Sequence, residues 1–276
     1  MTDRQQRVPG FFYAALRVFD LSLSDMLWSR RTVFMALVVG LPVLLSLVIR
    51  SLVELGAPIM RNSPLTGPGI FGLMVWALFV RFSIPVLGVF YGTSLMADEV
   101  EDKTITYLFT RPIPRGAVLL GKYLAYLVCT VCVVLPAVVI IWLLLVPLKG
   151  SLGASVGDLA KDLGVLALGL AVYGAVFSLI GAALKRPLLV GLVFVVGWET
   201  LAMLLPGNLK RLTVAFYIQG LVPHAMPNDS SISVFQGLFR QSPSLTECLF
   251  WITAIEVVCL WLAARTVARR EYLLEQ

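Results

Sequence analysis

Long apolar runs alternate with short charged stretches along this chain. Runs of about 20 or more mostly apolar residues can cross a bilayer. They fall at 32–52, 72–97, 118–146, 160–184, 188–206 and 247–268. The second and third exceed a straight crossing, so each tilts or begins before the hydrocarbon. Ahead of the first run, Phe11, Phe12, Ala15, Leu16, Phe19, Leu23, Met26 and Leu27 recur at helical spacing. Arg17, Asp20, Ser24 and Asp25 fall mostly on other faces. This predicts an amphipathic helix over 9–31, closed by Arg30-Arg31. The pattern favours a helix lying in the membrane surface; the alternative is an ordinary helix packed on other protein.

Between the second and third runs lies the most charged internal stretch, 98–116. Asp98, Glu99, Glu101 and Asp102 cannot sit in hydrocarbon, so they meet water or a partner. Val100, Thr104, Ile105, Leu108 and Phe109 keep helical spacing, with acids crowding the first turn. Arg111-Pro112 discourages further helix, and Pro114 keeps the turn open. Two readings stand side by side: a short amphipathic helix that docks on a soluble protein, or a solvated connecting loop. Gly116 to Lys122 also fits the first seven positions of a phosphate-binding loop. The eighth, where a magnesium-holding Ser or Thr belongs, is Tyr123, and no strand precedes the glycines. That stretch reads instead as the start of a membrane helix, with Gly121 easing packing and Lys122 snorkelling.

Composition agrees with the spans. The 276 residues are 59% hydrophobic and 14% charged, against roughly 25% charged in soluble domains. The net charge of +6 comes from arginines and lysines beside the spans. No basic stripe with interleaved aromatics points to nucleic acid. Arg4, Arg7, Arg17, Arg30, Arg31, Lys103, Arg111, Arg115, Lys122, Lys185, Arg186, Arg265, Arg269 and Arg270 fall on one side of a six-span topology. The other side is poorer, so both termini are expected in the cytoplasm. The polar segment before a full-length first span argues against a cleaved signal. The outer stretch 207–246 has apolar pieces at Val214 to Val222 and Val234 to Phe239, which could dip into the outer leaflet.

The order of residues around the charged stretch is distinctive. Acids end a span; Thr104 and an aliphatic–aromatic run follow, then Arg111-Pro112-Ile113-Pro114-Arg115 and Leu120-Gly121-Lys122. This resembles the first cytoplasmic loop of permease subunits in the ATP-binding-cassette type-2 exporter family, over about 25 residues. Members often show Glu-x-Gly-Thr before the run; here Lys103 takes the Gly position. The resemblance implies a single membrane domain over 1–276, in the inner (plasma) membrane. It implies an all-α integral membrane protein with six transmembrane helices, an N-terminal interfacial helix and a short cytoplasmic coupling helix. Its implied role is an exporter permease, with ATP and Mg bound by a separate ABC ATPase subunit and with a second copy of the chain as partner. Glu99, Glu101, Asp102, Thr104, Leu108, Phe109 and Arg111 would then couple to the ATPase.

Away from the span ends, three ionisable residues fall inside spans: Arg81, Glu199 and Glu256. At about 1.5 Å per residue, Arg81 and Glu199 share a depth of roughly 20–25 Å from the cytoplasmic edge, which allows a pair. By the same resemblance, the second and fifth spans line the cargo route. The alternative is that Arg81 snorkels outward and the glutamates find local hydroxyls. Ala167, Ala171 and Ala175, and Gly174, Ser178 and Ala182, make small-residue rows on the fourth span, which reads as interior scaffold.

Other chemistry is sparse. His224, on a loop, is the only histidine. Cys129 and Cys132 form a lone C-x-x-C within a span, without the second pair a metal site needs, so no metal and no catalytic residue is expected. A secondary transporter or channel is the competing class, and a membrane-embedded enzyme a weaker third. The first usually shows repeated halves or midplane charge networks, the second clustered catalytic side chains.

Overall fold

The computed structural model describes residues 10–55, 66–101, 114–148, 150–199, 201–202, 208–222 and 244–269. Asp102, Thr104, Leu108, Phe109 and Arg111 lie outside them, as do His224 and most of the outer stretch. Of Glu99 and Glu101 only the helical backbone is described. No strand occurs among the described residues.

Helix α1 is Phe11–Leu27 and α2 is Arg30–Glu54. α3 is the span Gly67–Ala97, whose last segment continues to Glu101. α4 is Arg115–Leu145 and α5 is Leu152–Ala183. α6, Pro187–Glu199, ends in a π-helical segment. After a 3-10 turn at Asn208–Leu212 come α7, Val214–Leu221, and α8, Leu245–Arg269. α2, α3, α4, α5 and α8 are long and apolar enough to cross a membrane. Their outward faces stay apolar, as at Leu37, Leu44, Phe250 and Trp261, which suits lipid rather than water. The chain is an integral membrane protein.

The expected fifth crossing, 188–206, is described as helix over Pro187–Glu199. Leu201 and Ala202, beyond it, are also helical. The expected fourth span begins earlier than 160, at Leu152. The apolar piece at 214–222 folds as α7, with Val214, Ala215, Tyr217 and Ile218 buried.

α3 departs from regular helix for a local reason. Pro85 has no N–H to offer the carbonyl four residues back, that of Arg81, and its ring crowds it. The preceding Val75–Ser83 widens into a π-helix, in which the Ile84 N–H reaches the Phe79 carbonyl. A second π segment, Gly88–Gly92, lies against α5. A Cβ on Gly92 would come within 2.7 Å of Phe177 Cβ, so only glycine allows this approach.

α5 is the scaffold. Ala171, Ala175, Ser178 and Ala182 are buried, and Gly174 lies flat under the Tyr126 ring of α4. Such small residues let membrane helices pack closely where no hydrophobic drive between helices exists. Tyr126 also donates to the Leu170 carbonyl at 2.9 Å, tying α4 to α5.

At one edge of the bundle, Met96, Leu119, Ala182, Ala263 and Val267 form a small core joining the ends of α3, α5 and α8 to the start of α4. Arg115 donates to the Ala268 carbonyl there at 3.1 Å. At the other edge, the Gly67 N–H donates to the Leu148 carbonyl at 2.8 Å, and Arg50 to the Leu144 carbonyl at 3.2 Å.

α1 packs across the first turns of α4. Ala14, Ala15 and Ala117 form a buried alanine contact, and a Cβ on Gly121 would lie 2.5 Å from the Ala15 carbonyl oxygen. Of the apolar side chains expected on one face, Ala15 turns inward, while Phe12 (78%) and Leu16 (62%) stay exposed. The helix therefore has a protein-facing alanine seam and a separate apolar face.

Candidate functional site

Glu199 is 3% exposed, at the end of the π segment that closes α6. A carboxyl so placed needs partners. Tyr173 of α5 supplies one by donating its hydroxyl hydrogen to Oε2. The backbone N–H groups of Val214 and Ala215, first in α7, act on the same carboxylate. The positive end of a helix thus faces an acid. Oε1 has no hydrogen-bond partner of good geometry among the described residues.

Arg81, on the π segment of α3, lies within electrostatic reach of both Glu199 and Tyr173. It makes no ion pair with Glu199, unlike Arg50 with Glu54 at 2.6 Å or Lys161 with Asp158 at 3.2 Å. The two residues of matching depth do come together, with a hydroxyl and a helix start as the closer partners of the acid. Both sit on π-helical segments, a geometry frequent at functional sites.

Glu256 belongs elsewhere. On α8 and half-buried, it meets Tyr123 of α4, whose hydroxyl lies 3.0 Å from Glu256 Oε1 and 2.9 Å from the Ala171 carbonyl. One hydroxyl proton serves two acceptors there. Ala171 and Tyr173 are two residues apart on α5, about 200° around the helix. Glu199 thus meets α5 directly through Tyr173, whereas Glu256 is linked to it through Tyr123 of α4.

Three buried polar positions escaped the sequence reading. Tyr173 and Tyr123 are the partners of the glutamates, and a tyrosine in an apolar run carries no mark of its partner. Asp162 is fully buried on α5. Its signal was present: Leu159, Asp162, Leu166 and Leu170 recur at helical spacing on the buried face.

Gly116 to Tyr123 is regular α-helix with Ala117, Val118 and Leu119 buried, so it cannot cradle phosphate. Cys129 and Cys132 are unbridged. Among the described residues no group of three or more His, Cys, Asp or Glu is placed to hold a metal.

The family described as ABC-2 family transporter protein matches residues 13–215, from α1 into α7. The chain belongs to the ABC-2 transporter family. No curated protein matches it. As an ABC-2 family member it is the membrane component, the permease subunit, of an ABC transporter, and the family implies an ABC ATPase subunit as partner. The match takes in Arg81, Tyr173 and Glu199, while Glu256 lies beyond it.

Proposed function

We propose that this ABC-2 permease exports its cargo across the inner (plasma) membrane, driven by ATP that a separate subunit hydrolyses with Mg. Two copies of the chain join two ATPase subunits, with both termini in the cytoplasm. The family match carries this reading. It is supported by the burial of Tyr123 where a phosphate loop would need a magnesium ligand. The power stroke enters through 98–116, where a helix from Glu99 to Phe109 seats Leu108 and Phe109 in the ATPase, with Glu99, Glu101 and Asp102 at the rim. Thr104 lies within that helix and Arg111 just beyond it, and the polar cluster of Arg81, Tyr173 and Glu199 lies along the cargo route.

The test is ATP hydrolysis in liposomes by the purified chain, the ABC ATPase that co-purifies with it, and both together. The expected result is no hydrolysis by the chain alone and coupled hydrolysis by the pair. Transport that runs at full rate without any ATPase would replace this reading with a secondary transporter.

A further inference from the structure

We propose that Arg81 receives the anionic headgroup of an amphiphilic cargo part-way through the membrane. This rests on the exporter reading and names its substrate class: an oxyanion carried on a hydrocarbon chain. Arg81 is the only charged residue of α3 between Gly67 and Ala97. It lies about 20 Å or more from either end of that span, too deep for its head to snorkel to a surface. A cation at such depth is costly unless an anion or water meets it. Glu199 lies within electrostatic reach, but its carboxylate is engaged by the Tyr173 hydroxyl and the first N–H groups of α7. Among the described residues no group accepts a hydrogen bond from the Arg81 guanidinium. The acid therefore offsets the charge from a distance and leaves the planar fork to a group from outside the chain.

The surroundings of the arginine argue for an amphiphile rather than a small anion. Leu73 and Phe82 are exposed, and Ala77, Arg81 and Val86 are half-buried, so Arg81 stands in an apolar strip along the open face of α3. The π-helical Val75–Ser83 widens each turn, and spacings of four and five residues keep that strip on one face. The strip holds no other polar side chain, so it suits a hydrocarbon chain and gives a small hydrated anion nothing in place of its water. Arginine's fork matches two oxygens of a phosphate or carboxylate at once. A resident bilayer lipid keeps its headgroup at the interface, whereas an amphiphile being moved across brings it to mid-span. The depth of Arg81 thus selects cargo over annular lipid.

The experiment uses the full chain in maltoside micelles, titrated with dodecyl phosphate, dodecyltrimethylammonium or inorganic phosphate. Bound molecules are counted by native mass spectrometry. A dodecyl phosphate carrying a diazirine beside its phosphate reports where the headgroup sits. The titration needs no ATPase, so its failure leaves the exporter reading standing; that reading fails on hydrolysis instead. Expected is saturable binding of dodecyl phosphate, one per chain, with cross-links between Ala77 and Val86. Binding should weaken by about tenfold or more in Arg81→Gln and by less in Arg81→Lys. Equal binding of dodecyltrimethylammonium by the wild-type chain overturns the proposal whether or not the glutamine variant folds. Full displacement by millimolar inorganic phosphate overturns it in favour of a free-anion site. Cross-links confined to the helix ends overturn it in favour of a lipid held at the interface.

Discussion

At the residue scale, Glu199 shows what a sequence displays of a buried charge and what it conceals. The acid stood out because its neighbours are apolar, and its depth matched that of Arg81. Its closest partner did not, because Tyr173 is 26 residues away and meets it only when α6 folds back along α5. The geometry orders two couplings. Tyr173 hydrogen-bonds the carboxylate directly, whereas Arg81 acts across a gap. Tyr173→Phe should therefore cost about 1–3 kcal/mol, because a buried acceptor loses its donor. In double-mutant cycles with Glu199→Gln, the coupling to Tyr173 should reach about 1–3 kcal/mol and exceed that to Arg81. Reversible thermal unfolding in detergent reads both; a larger coupling to Arg81 would restore the simple ion pair.

At the element scale, the long spans were legible because an uninterrupted apolar run of bilayer length has few other uses. α6 was less so, since an apolar sequence does not state where a helix widens into a π segment. That segment puts Glu199 beside Tyr173 and the start of α7, contacts that no apolar run announces. The two partners of α1 were only half legible. Phe12 and Leu16 announced an apolar face, but the seam through Ala14 and Ala15 depends on Gly121, whose role needs α4 beside it. Gly121→Leu should lift α1 from α4 without unfolding the spans, since the clash is confined to that crossing. A cysteine replacing Ala15, in a background without the native four, should then react with a maleimide at least several-fold faster. An unchanged rate would mean that the helices do not cross here.

At the scale of the whole molecule, the alternation of basic and less basic loops sets the expected orientation, and the bundle's basic ends do gather at one edge. Single cysteines replacing Thr2 and Asp229, again without the native four, test this in intact cells. Asp229 should label from outside and Thr2 should be protected; the reverse pattern would invert the chain in the membrane. Fold class was legible throughout, because composition and run length decide it. The docking stretch is where the functional account is most exposed, since its central side chains lie outside the described residues. If 98–116 couples the permease to an ATPase, apolar anchors should carry most of the binding and rim charges little. The most direct measurement is the affinity of the ATPase for the full chain in nanodiscs, wild type against Leu108→Ala with Phe109→Ala. The account predicts a loss of a few kcal/mol for that pair and about 1 kcal/mol or less for Glu101→Ala, with all three proteins inserting normally. Unchanged ATPase affinity in the double variant would contradict it.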